Sequence, residues 1–392
     1  MTKATFNASR MKDKNKFIVL NYIRQGGLSR ADISRLTGLT RASITYIVDS
    51  LVEDGLVVET GFNQPKIGKR SVLLSINPSA SYVIGVSIQR GSLRLTVLGL
   101  STKIYEDRII YDETDSLKES LEIINQLITL FLKKYGKKII GIGVTSPGPV
   151  DSKKGLILNP TRLNKWHYFD ICNYLEQRYK IPCYLNKDIN SYACLEKTFN
   201  SELADKSFIE IMSERGIGSA IVMDGEMFVG NGFGCELGHI SIDINGRLCE
   251  CGHHGCLEKY ASIICLLSEC KEEGIGDFSS WEEVIDTLYT SDAEKKAQAV
   301  KVVNRMVLYL GSGLVAFQNL LNINNIVFSG HFAYRPTLFF NQLDNYISTR
   351  MLCRNNQSIN IYASKVKDIE AKAAGNVILE KYFNGELKLC QK

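Results

Sequence analysis

The stretch Cys249-Glu-Cys-Gly-His-His-Gly-Cys-Leu-Glu258 decides how the body of this chain folds, because it places three thiols within eight residues. Structural zinc sites use four soft or borderline ligands at the corners of a tetrahedron. Gly252 and Gly255 give the loop the backbone freedom that converging thiolates require. The sequence therefore predicts a structural zinc ion, one per chain, with three cysteine ligands: Cys249, Cys251 and Cys256.

These residues alone leave the fourth zinc ligand open. His239 lies ten residues upstream of Cys249, where we expect a strand to end, and it is the natural candidate. His253 and His254 lie inside the loop, where coordination would strain the backbone, and Cys235 is a further alternative. Four protein ligands leave no open position for water, so we expect the zinc to hold the loop and take no part in catalysis.

Three further motifs lie upstream of this loop. They are Gly141-Ile-Gly-Val-Thr-Ser-Pro-Gly-Pro-Val-Asp151, Asn186-Lys-Asp-Ile-Asn190 and Glu236-Leu-Gly-His-Ile240. Together with the cysteine loop they resemble the ROK family, which groups bacterial repressors with sugar kinases. The resemblance implies an α/β body with a two-lobed, actin-like (ribonuclease-H-like) sugar-kinase fold, a ligand between the lobes, and assembly as a homodimer or tetramer. It also implies that His239 is the fourth zinc ligand.

The resemblance implies a sugar-binding site as well. Carboxylates and imidazole suit sugars because they offer fixed hydrogen-bond acceptors to hydroxyl groups. The positions carried over from the family are Gly148, Lys187, Asp188, Glu236, His239 and Glu258. We expect the zinc to orient His239 and Glu258 towards the sugar. Two departures predict altered recognition, because Lys187 and Leu163 stand where the family usually has asparagine.

Lys187 has two possible roles beside so many carboxylates. Its ammonium either pairs with one of them, filling space that a neutral sugar would use, or stays available to an anionic ligand. The second role is favoured here, so the predicted effector is an acidic or phosphorylated sugar. The remaining interpretation is a side chain that extends to solvent and contacts nothing.

The loops that would hold a nucleotide depart from the kinase pattern. Family kinases carry Asp-x-Gly-Gly-Thr where this chain has Ser87-Ile-Gln-Arg-Gly91, and Gly-Thr-Gly-x-Gly-Gly-Gly where it has Glu214-Arg-Gly-Ile-Gly-Ser-Ala220. A third site, usually Gly-Gly, is Ser329-Gly330. Phosphoryl transfer depends on such loops for positioning and charge stabilisation. We therefore expect a sensor without enzymatic activity, in which Asp188 accepts a sugar hydroxyl.

The first 78 residues predict a winged helix-turn-helix domain. Apolar spacing predicts a helix over Lys14–Gln25. A second helix begins with Ser29 as N-cap and Asp32 three residues on, which is typical of a capping box. Its predicted inner face is Ile33 and Leu36. Two short helices joined by a glycine-containing turn fit the helix-turn-helix motif.

A third helix, capped by Thr40 after a turn at Gly38, is the predicted recognition helix. Strands over residues 56–60 and 71–76 enclose a basic loop that we interpret as the wing. Arginine can read guanine, whereas hydroxyl groups contact either bases or phosphates. The predicted DNA contacts are Ser29, Arg30, Thr40, Arg41, Ser43, Thr45, Tyr46, Lys66, Lys69 and Arg70. Arg30 and the wing cations are assigned to the DNA backbone.

Charge separates this head from the rest of the chain. Residues 1–76 hold 12 lysines and arginines against 6 acidic residues, whereas the remainder holds 35 against 36. A basic head on a neutral body is typical of nucleic-acid binding. The alternative is a helical protein-interaction module with a solvated basic face.

Length and patterning predict three parts: residues 1–78 as the DNA-binding domain, 79–200 as the first α/β lobe and 201–392 as the second. The return of the last helix to the first lobe is an alternative for its placement. The polar, basic start predicts no signal peptide, and no apolar run is long enough to span a bilayer, so we expect a cytoplasmic protein without membrane contact. The predicted function is an operator-binding repressor of carbohydrate genes that a sugar or sugar phosphate modulates. The alternatives are a sugar kinase with a DNA-binding head and a repressor controlled by a protein partner.

Overall fold

The computed structural model describes residues 2–62, 70–230, 234–353, 355 and 358–387, with side chains described from residue 14 onward. The chain groups into two compact units. The first comprises residues 1–145, 170–186 and 371–392, and the second comprises residues 146–169 and 187–370. The division after residues 78 and 200 remains a prediction, and the observed grouping keeps the head together with the strands that follow it.

Strands and helices alternate along most of the chain. The strands are β1 (Leu28–Ser29), β2 (Val57–Phe62), β3 (Val72–Ile76), β4 (Tyr82–Gln89), β5 (Ser92–Gly99), β6 (Ile104–Tyr111), β7 (Ile139–Ser146), β8 (Val150–Asp151), β9 (Leu156–Ile157), β10 (Phe169–Asp170), β11 (Cys183–Lys187), β12 (Phe208–Ser213), β13 (Ile217–Met223), β14 (Glu226–Phe228), β15 (Asn325–Phe328) and β16 (Asn360–Ala363). The helices are α1 (Thr2–Gln25), α2 (Arg30–Thr37), α3 (Arg41–Glu53), α4 (Leu117–Tyr135), α5 (Ile171–Tyr179), α6 (Asp188–Phe199), α7 (Glu258–Ala261), α8 (Ile263–Glu272), α9 (Trp281–Thr287), α10 (Ala293–Leu321), α11 (Thr337–Arg350) and α12 (Ile369–Phe383). The predicted α/β class is confirmed.

The head of the first unit has the predicted winged arrangement of α1, α2 and α3 with a sheet in the order β1-β3-β2. Ser29 and Asp32 form the predicted capping box, and Thr40 caps α3. One predicted core position is wrong, because Leu36 is 53% exposed. The short helix α2 reaches the core through a single turn, at Ile33. Helix α1 is also longer than predicted, since it begins at Thr2.

The second part of the first unit is a five-stranded sheet in the order β11-β7-β4-β5-β6, with β4 parallel to β7 and antiparallel to β5. Helix α12 lies directly on this sheet. A Cβ atom on Gly143 of β7 would be 1.9 Å from the carbonyl oxygen of Ala374, so only glycine permits this approach. Helix α12 is therefore packed closely against the sheet of the first unit.

The head and this sheet share one hydrophobic core. Buried residues of α1 and α3, such as Val19 and Val48, belong to the same cluster as Leu98 of β5 and Ile378 of α12. Polar contacts reinforce the junction at Arg24, whose side chain is 1% exposed. Its guanidinium donates to Asn376 at 2.6 Å and Glu380 at 2.7 Å, and it lies 4.3 Å from the ring centre of Phe383. The head is thus packed against α12 within one unit.

The second unit is a sheet in the order β14-β13-β12-β15-β16 covered by helices. Aromatic rings fill its core, and the ring centres of Trp281 and Phe339 are 5.1 Å apart. Helix α10 is long and apolar enough, by length and composition, to cross a membrane. Ten of its residues, including Leu310 and Leu314, are buried inside this unit, as expected of a core helix.

Arg24→Ala should lower the free energy of unfolding of the first unit by about 2–3 kcal/mol, because it leaves the buried amide of Asn376 and the Glu380 carboxylate without their donor. Urea denaturation followed by circular dichroism measures the change. Arg35→Ala is the matched control, since Arg35 is 77% exposed and its pair with Asp32 should contribute less than about 1 kcal/mol. Equal losses in both variants would contradict the assigned role of Arg24.

Candidate functional sites

The outward face of α3 carries most of the predicted DNA contacts. Arg41, Ser43, Thr45 and Tyr46 are exposed, whereas Ile44, Ile47, Val48 and Leu51 turn inward. Thr40 accepts a hydrogen bond from the backbone of Ser43 at 3.2 Å, so it fixes the start of the helix. A polar, rigid helix face of this kind fits a DNA groove.

Two other predicted contacts have structural partners. Ser29 is buried and caps α2. Arg30 donates to Asp49 of α3 at 3.0 Å and to Glu59 of β2 at 2.7 Å, which ties α2 and α3 to that strand. Arg70 is exposed beside β3, and the predicted contacts Lys66 and Lys69 lie outside the described residues. Because Arg30 is held by two carboxylates, its contacts support a role in positioning β2 against the helices.

The predicted metal ligands converge in the second unit. The donor atoms of His239, Cys249, Cys251 and Cys256 all lie within 4.8 Å of one another. The Cys249 sulfur is 3.8 Å from His239 Nδ1, and the sulfurs of Cys251 and Cys256 are 3.6 Å apart. Burial raises the pKa of the Cys256 thiol to about 11 and raises that of Cys249 further. Three thiols and one imidazole at these separations match the donor set of structural zinc sites.

The alternative fourth ligands lie elsewhere. His254 Nδ1 is 3.0 Å from the carbonyl oxygen of Gly246, and the Cys235 thiol donates to the carbonyl of Phe228 at 3.5 Å. His239 lies in a short 3-10 turn, Leu237–His239, and the expectation that it ends a strand is wrong. The turn follows the left-handed residue Cys235, which interrupts extended structure there.

A cleft of about 880 Å³ opens beside this cluster. His239 belongs to both, since its Nδ1 faces Cys249 while its ring lines the cleft. The lining comprises Gly148, Pro149, Asn159, Thr161, Arg162, Asn164, His167, Glu236, His239, Glu250, Cys251 and His253. Amides, imidazoles and carboxylates around one cavity supply the donors and acceptors that a polyhydroxylated ligand requires.

Three predicted sugar contacts thus line the cleft: Gly148, Glu236 and His239. Lys187 lies behind them, 7% exposed, and donates to Glu236 at 2.6 Å and to the carbonyl of Cys235 at 3.2 Å. A Cβ atom on Gly148 would be 3.1 Å from both Lys187 Cε and Glu236 Oε1. Lys187 therefore takes the first of its two predicted roles, pairing with a carboxylate, and the interpretation that it extends to solvent is wrong.

The remaining predicted contacts, Asp188 and Glu258, are not among the residues that line the cleft. Glu258 is buried, and its Oε1 lies 3.5 Å from the Cys249 sulfur and 3.9 Å from His239 Nδ1. Asp188 begins α6, where one carboxylate oxygen accepts the backbone N–H of Ile189 at 2.7 Å. Glu258 thus contacts two of the predicted metal ligands.

Sequence reasoning missed one wall of the cleft, the loop over residues 158–168, called here the ligand loop. It supplies five lining residues: Asn159, Thr161, Arg162, Asn164 and His167. Leu163 is buried and its neighbour Asn164 lines the cleft, so the loop offers an amide beside the position of the predicted departure. The polar residues of this loop, which lies between β9 and β10, are the sequence signal that could have identified it.

Glu250 lies between two predicted metal ligands and also lines the cleft. Burial alone would raise the pKa of the Glu250 carboxyl group, but hydrogen bonds from Arg162 and Lys259 lower that pKa to about 2. Its carboxylate is therefore charged and bound to two cations.

The three segments that replace the kinase nucleotide loops have other contacts. Ser87 is buried at the β4–β5 hairpin and accepts a hydrogen bond from Thr145 at 3.1 Å. Glu214 is exposed at the β12–β13 hairpin, and Ser329 is fully buried after β15. An exposed carboxylate at one of these positions opposes the approach of a triphosphate.

Comparison with known proteins decides the family. Residues 83–382 match the family model described as ROK family. The chain belongs to the ROK family. Residues 12–62 match the model described as MarR family, in agreement with the winged head. The predicted actin-like body and winged N-terminal domain are thereby confirmed.

Several ROK proteins resemble this chain over nearly its whole length. The xylose repressor of Caldicellulosiruptor bescii is 29% identical over 92% of this chain and 94% of the relative. The DNA-binding transcriptional repressor Mlc of Escherichia coli is 25% identical over 96% of this chain and 95% of the relative. A crystal structure of a ROK family transcriptional regulator, a homologue of Mlc, has a TM-score of 0.76 at 25% identity, covering 96% of this chain and 97% of that chain.

Kinases of the family share the fold of the body. A ROK family glucokinase from Streptomyces griseus, solved with glucose and AMPPNP, has a TM-score of 0.65 at 20% identity and covers 76% of this chain and 99% of that chain. This likeness extends to the fold alone.

Lys187→Met should lower the free energy of unfolding of the second unit by about 1–3 kcal/mol, because the Glu236 carboxylate loses its buried donor and the Cys235 carbonyl loses one of its two donors. Chemical denaturation monitored by tryptophan fluorescence measures the loss. Lys197→Met is the matched control, since Lys197 is 3.8 Å from an exposed Glu226 and should contribute almost nothing. A Lys187 variant as stable as the control would show that the buried pair stabilises nothing.

Proposed function

We propose that this ROK protein is a transcriptional repressor that binds operator DNA through its winged head and responds to a sugar. The observation that best supports this proposal is the capped helix α3, which presents a polar face from a head packed against α12. The relatives named as xylose repressor and Mlc support the same function. The protein would act in the cytoplasm as a homodimer or tetramer, so that two heads reach paired half-sites.

The proposed effector is a small sugar or sugar phosphate bound in the cleft. Glu236, His239 and Asn164 are the side chains we assign to its hydroxyl groups. The Lys187 ammonium is already paired with Glu236, so its charge gives no reason to prefer an anionic ligand. The choice between a neutral sugar and its phosphate is therefore left to experiment.

We further propose that the body transfers no phosphoryl group. Ser87, Glu214 and Ser329 stand in the segments that hold phosphates in family kinases, and none offers the charge stabilisation that the transfer requires. Control by a protein partner remains the alternative to a small effector.

The metal in this proposal is one structural zinc ion per chain. His239, Cys249, Cys251 and Cys256 would hold it, and their mutual separations fit its donor set. When bound, zinc would supply the positive charge that stabilises buried thiolates and would fix the loop that carries His239 and Glu250.

Arg41→Ala should weaken operator binding by about 1–3 kcal/mol if the guanidinium reads a base, with little effect on random DNA. Fluorescence anisotropy with an operator selected from random sequences measures both affinities. Arg108→Ala is the control, because it removes an exposed cation from β6, outside the head. If Arg41→Ala and Arg108→Ala bind the operator equally well, α3 is not the reading helix.

The purified protein should contain about one zinc ion per chain, and Cys251→Ser should lose most of it. Elemental analysis of protein prepared without chelator measures the content. Cys353→Ser serves as the control, since Cys353 is exposed and lies outside the cluster. A parent protein without zinc, or a Cys251 variant that keeps it, would remove the metal from this account.

A further inference from the structure

Arg162 joins three separate segments of the second unit. Its Nη2 and Nε donate to Glu250 Oε1 at 2.6 and 3.2 Å, and its Nη1 donates to the carbonyl of Arg215 at 3.2 Å. Glu250 belongs to the metal loop, residues 249–256, and Arg215 to the β12–β13 hairpin. One guanidinium therefore connects the ligand loop to both.

The backbone at Arg162 is held in an unfavourable conformation. Its φ is +61°, in the left-handed region that few residues other than glycine adopt. Such residues persist where tertiary contacts over-determine them, and they cluster at ligand clamps. A turn hydrogen bond from the backbone N–H of Leu163 to the carbonyl of Pro160 at 3.3 Å spans this residue, and the side-chain contacts with Glu250 and Arg215 add to it.

Burial also anchors the ligand loop. Trp166 is 1% exposed and fixes the C-terminal side of the loop in the core. The N-terminal side carries buried Pro160 between Asn159 and Thr161, and the backbone N–H of Leu158 donates to the carbonyl of Pro149 at 3.2 Å. Burial and backbone hydrogen bonds thus hold the loop in the second unit, and Arg162 adds the ion pair that joins it to the metal loop.

We propose that Arg162 and Glu250 form a latch that orders the ligand loop, so that metal occupancy controls the shape of the cleft without a metal bond to the ligand. The metal half of this proposal rests on the zinc site proposed above. Glu250 is flanked by Cys249 and Cys251, so its backbone position follows that of the metal ligands. Arg162 acts as a positioning residue. When the metal loop is fixed, the ion pair of Arg162 restricts the motion of the ligand loop, which carries Asn159, Thr161 and Asn164.

Lys259 provides a matched control for this latch. Its Nζ also lies near the Glu250 carboxylate, 3.2 Å from Oε1 and 3.4 Å from Oε2. Lys259 follows the metal loop directly in the chain, so its pair with Glu250 does not reach the ligand loop. Losing Lys259 removes an ion pair of the same carboxylate but leaves the latch in place.

Hydrogen–deuterium exchange tests the latch directly, because backbone N–H groups of the ligand loop are hydrogen-bonded, including Trp166 to Leu163 at 2.9 Å and Tyr168 to Leu158 at 2.7 Å. Glu250→Ala and Arg162→Gln, made in the full chain, should each speed exchange of residues 158–168 at least about fivefold. The double variant should exchange no faster than either single variant, since both remove the same contact. Lys259→Ala should stay within about twofold of the parent.

Metal removal completes the test. Treating the parent with a chelator, with zinc content measured on the same sample, should speed exchange of the ligand loop as much as Glu250→Ala does. Exchange in Glu250→Ala or Arg162→Gln that matches Lys259→Ala would overturn the latch. A parent that loses its zinc with no change in the ligand loop would overturn the metal half alone, and a parent that never held zinc would overturn the proposed site while the variants still decide the latch.

Discussion

The convergence of His239, Cys249, Cys251 and Cys256 is the constraint on which the ligand-binding part of this protein depends. Gathering three thiols and an imidazole within 4.8 Å requires a loop of unusual shape. A Cβ atom on Gly255 would be 1.7 Å from the carbonyl oxygen of Asp243, so only glycine fits that turn. His239 lies in the cleft wall, and Glu250, within the cysteine loop, pairs with Arg162. A bound cation would stabilise thiolates that burial otherwise disfavours.

A second constraint joins the head to the rest of the first unit. Residues of α3 such as Ile44 and Leu51 belong to the same buried cluster as Leu98 and Ile378, so the recognition helix is not carried on a flexible tether. The head is thereby fixed on the sheet of the first unit together with helix α12.

The sequence predicted what short-range patterns encode and missed what depends on tertiary contacts. The caps at Ser29 and Thr40 and the cysteine loop are local signals, and the structure confirms the caps and brings the predicted metal ligands together. Leu36 was misplaced because helical spacing does not reveal how short a helix is. The pairing of Lys187 with Glu236 and that of Arg162 with Glu250 join residues 49 and 88 positions apart in the chain. No pattern near either residue announces those partners.

The central claim is that a sugar in the cleft and DNA on the head are coupled, and thermodynamic linkage gives the most direct test. Operator affinity is measured by anisotropy with and without saturating xylose, glucose, N-acetylglucosamine or their phosphates, and the affinity for each sugar by calorimetry with and without operator. The account predicts one sugar that changes operator affinity about 5–150-fold, with the operator changing the affinity for that sugar by the same factor. A sugar that binds in the cleft while operator affinity stays unchanged would contradict it.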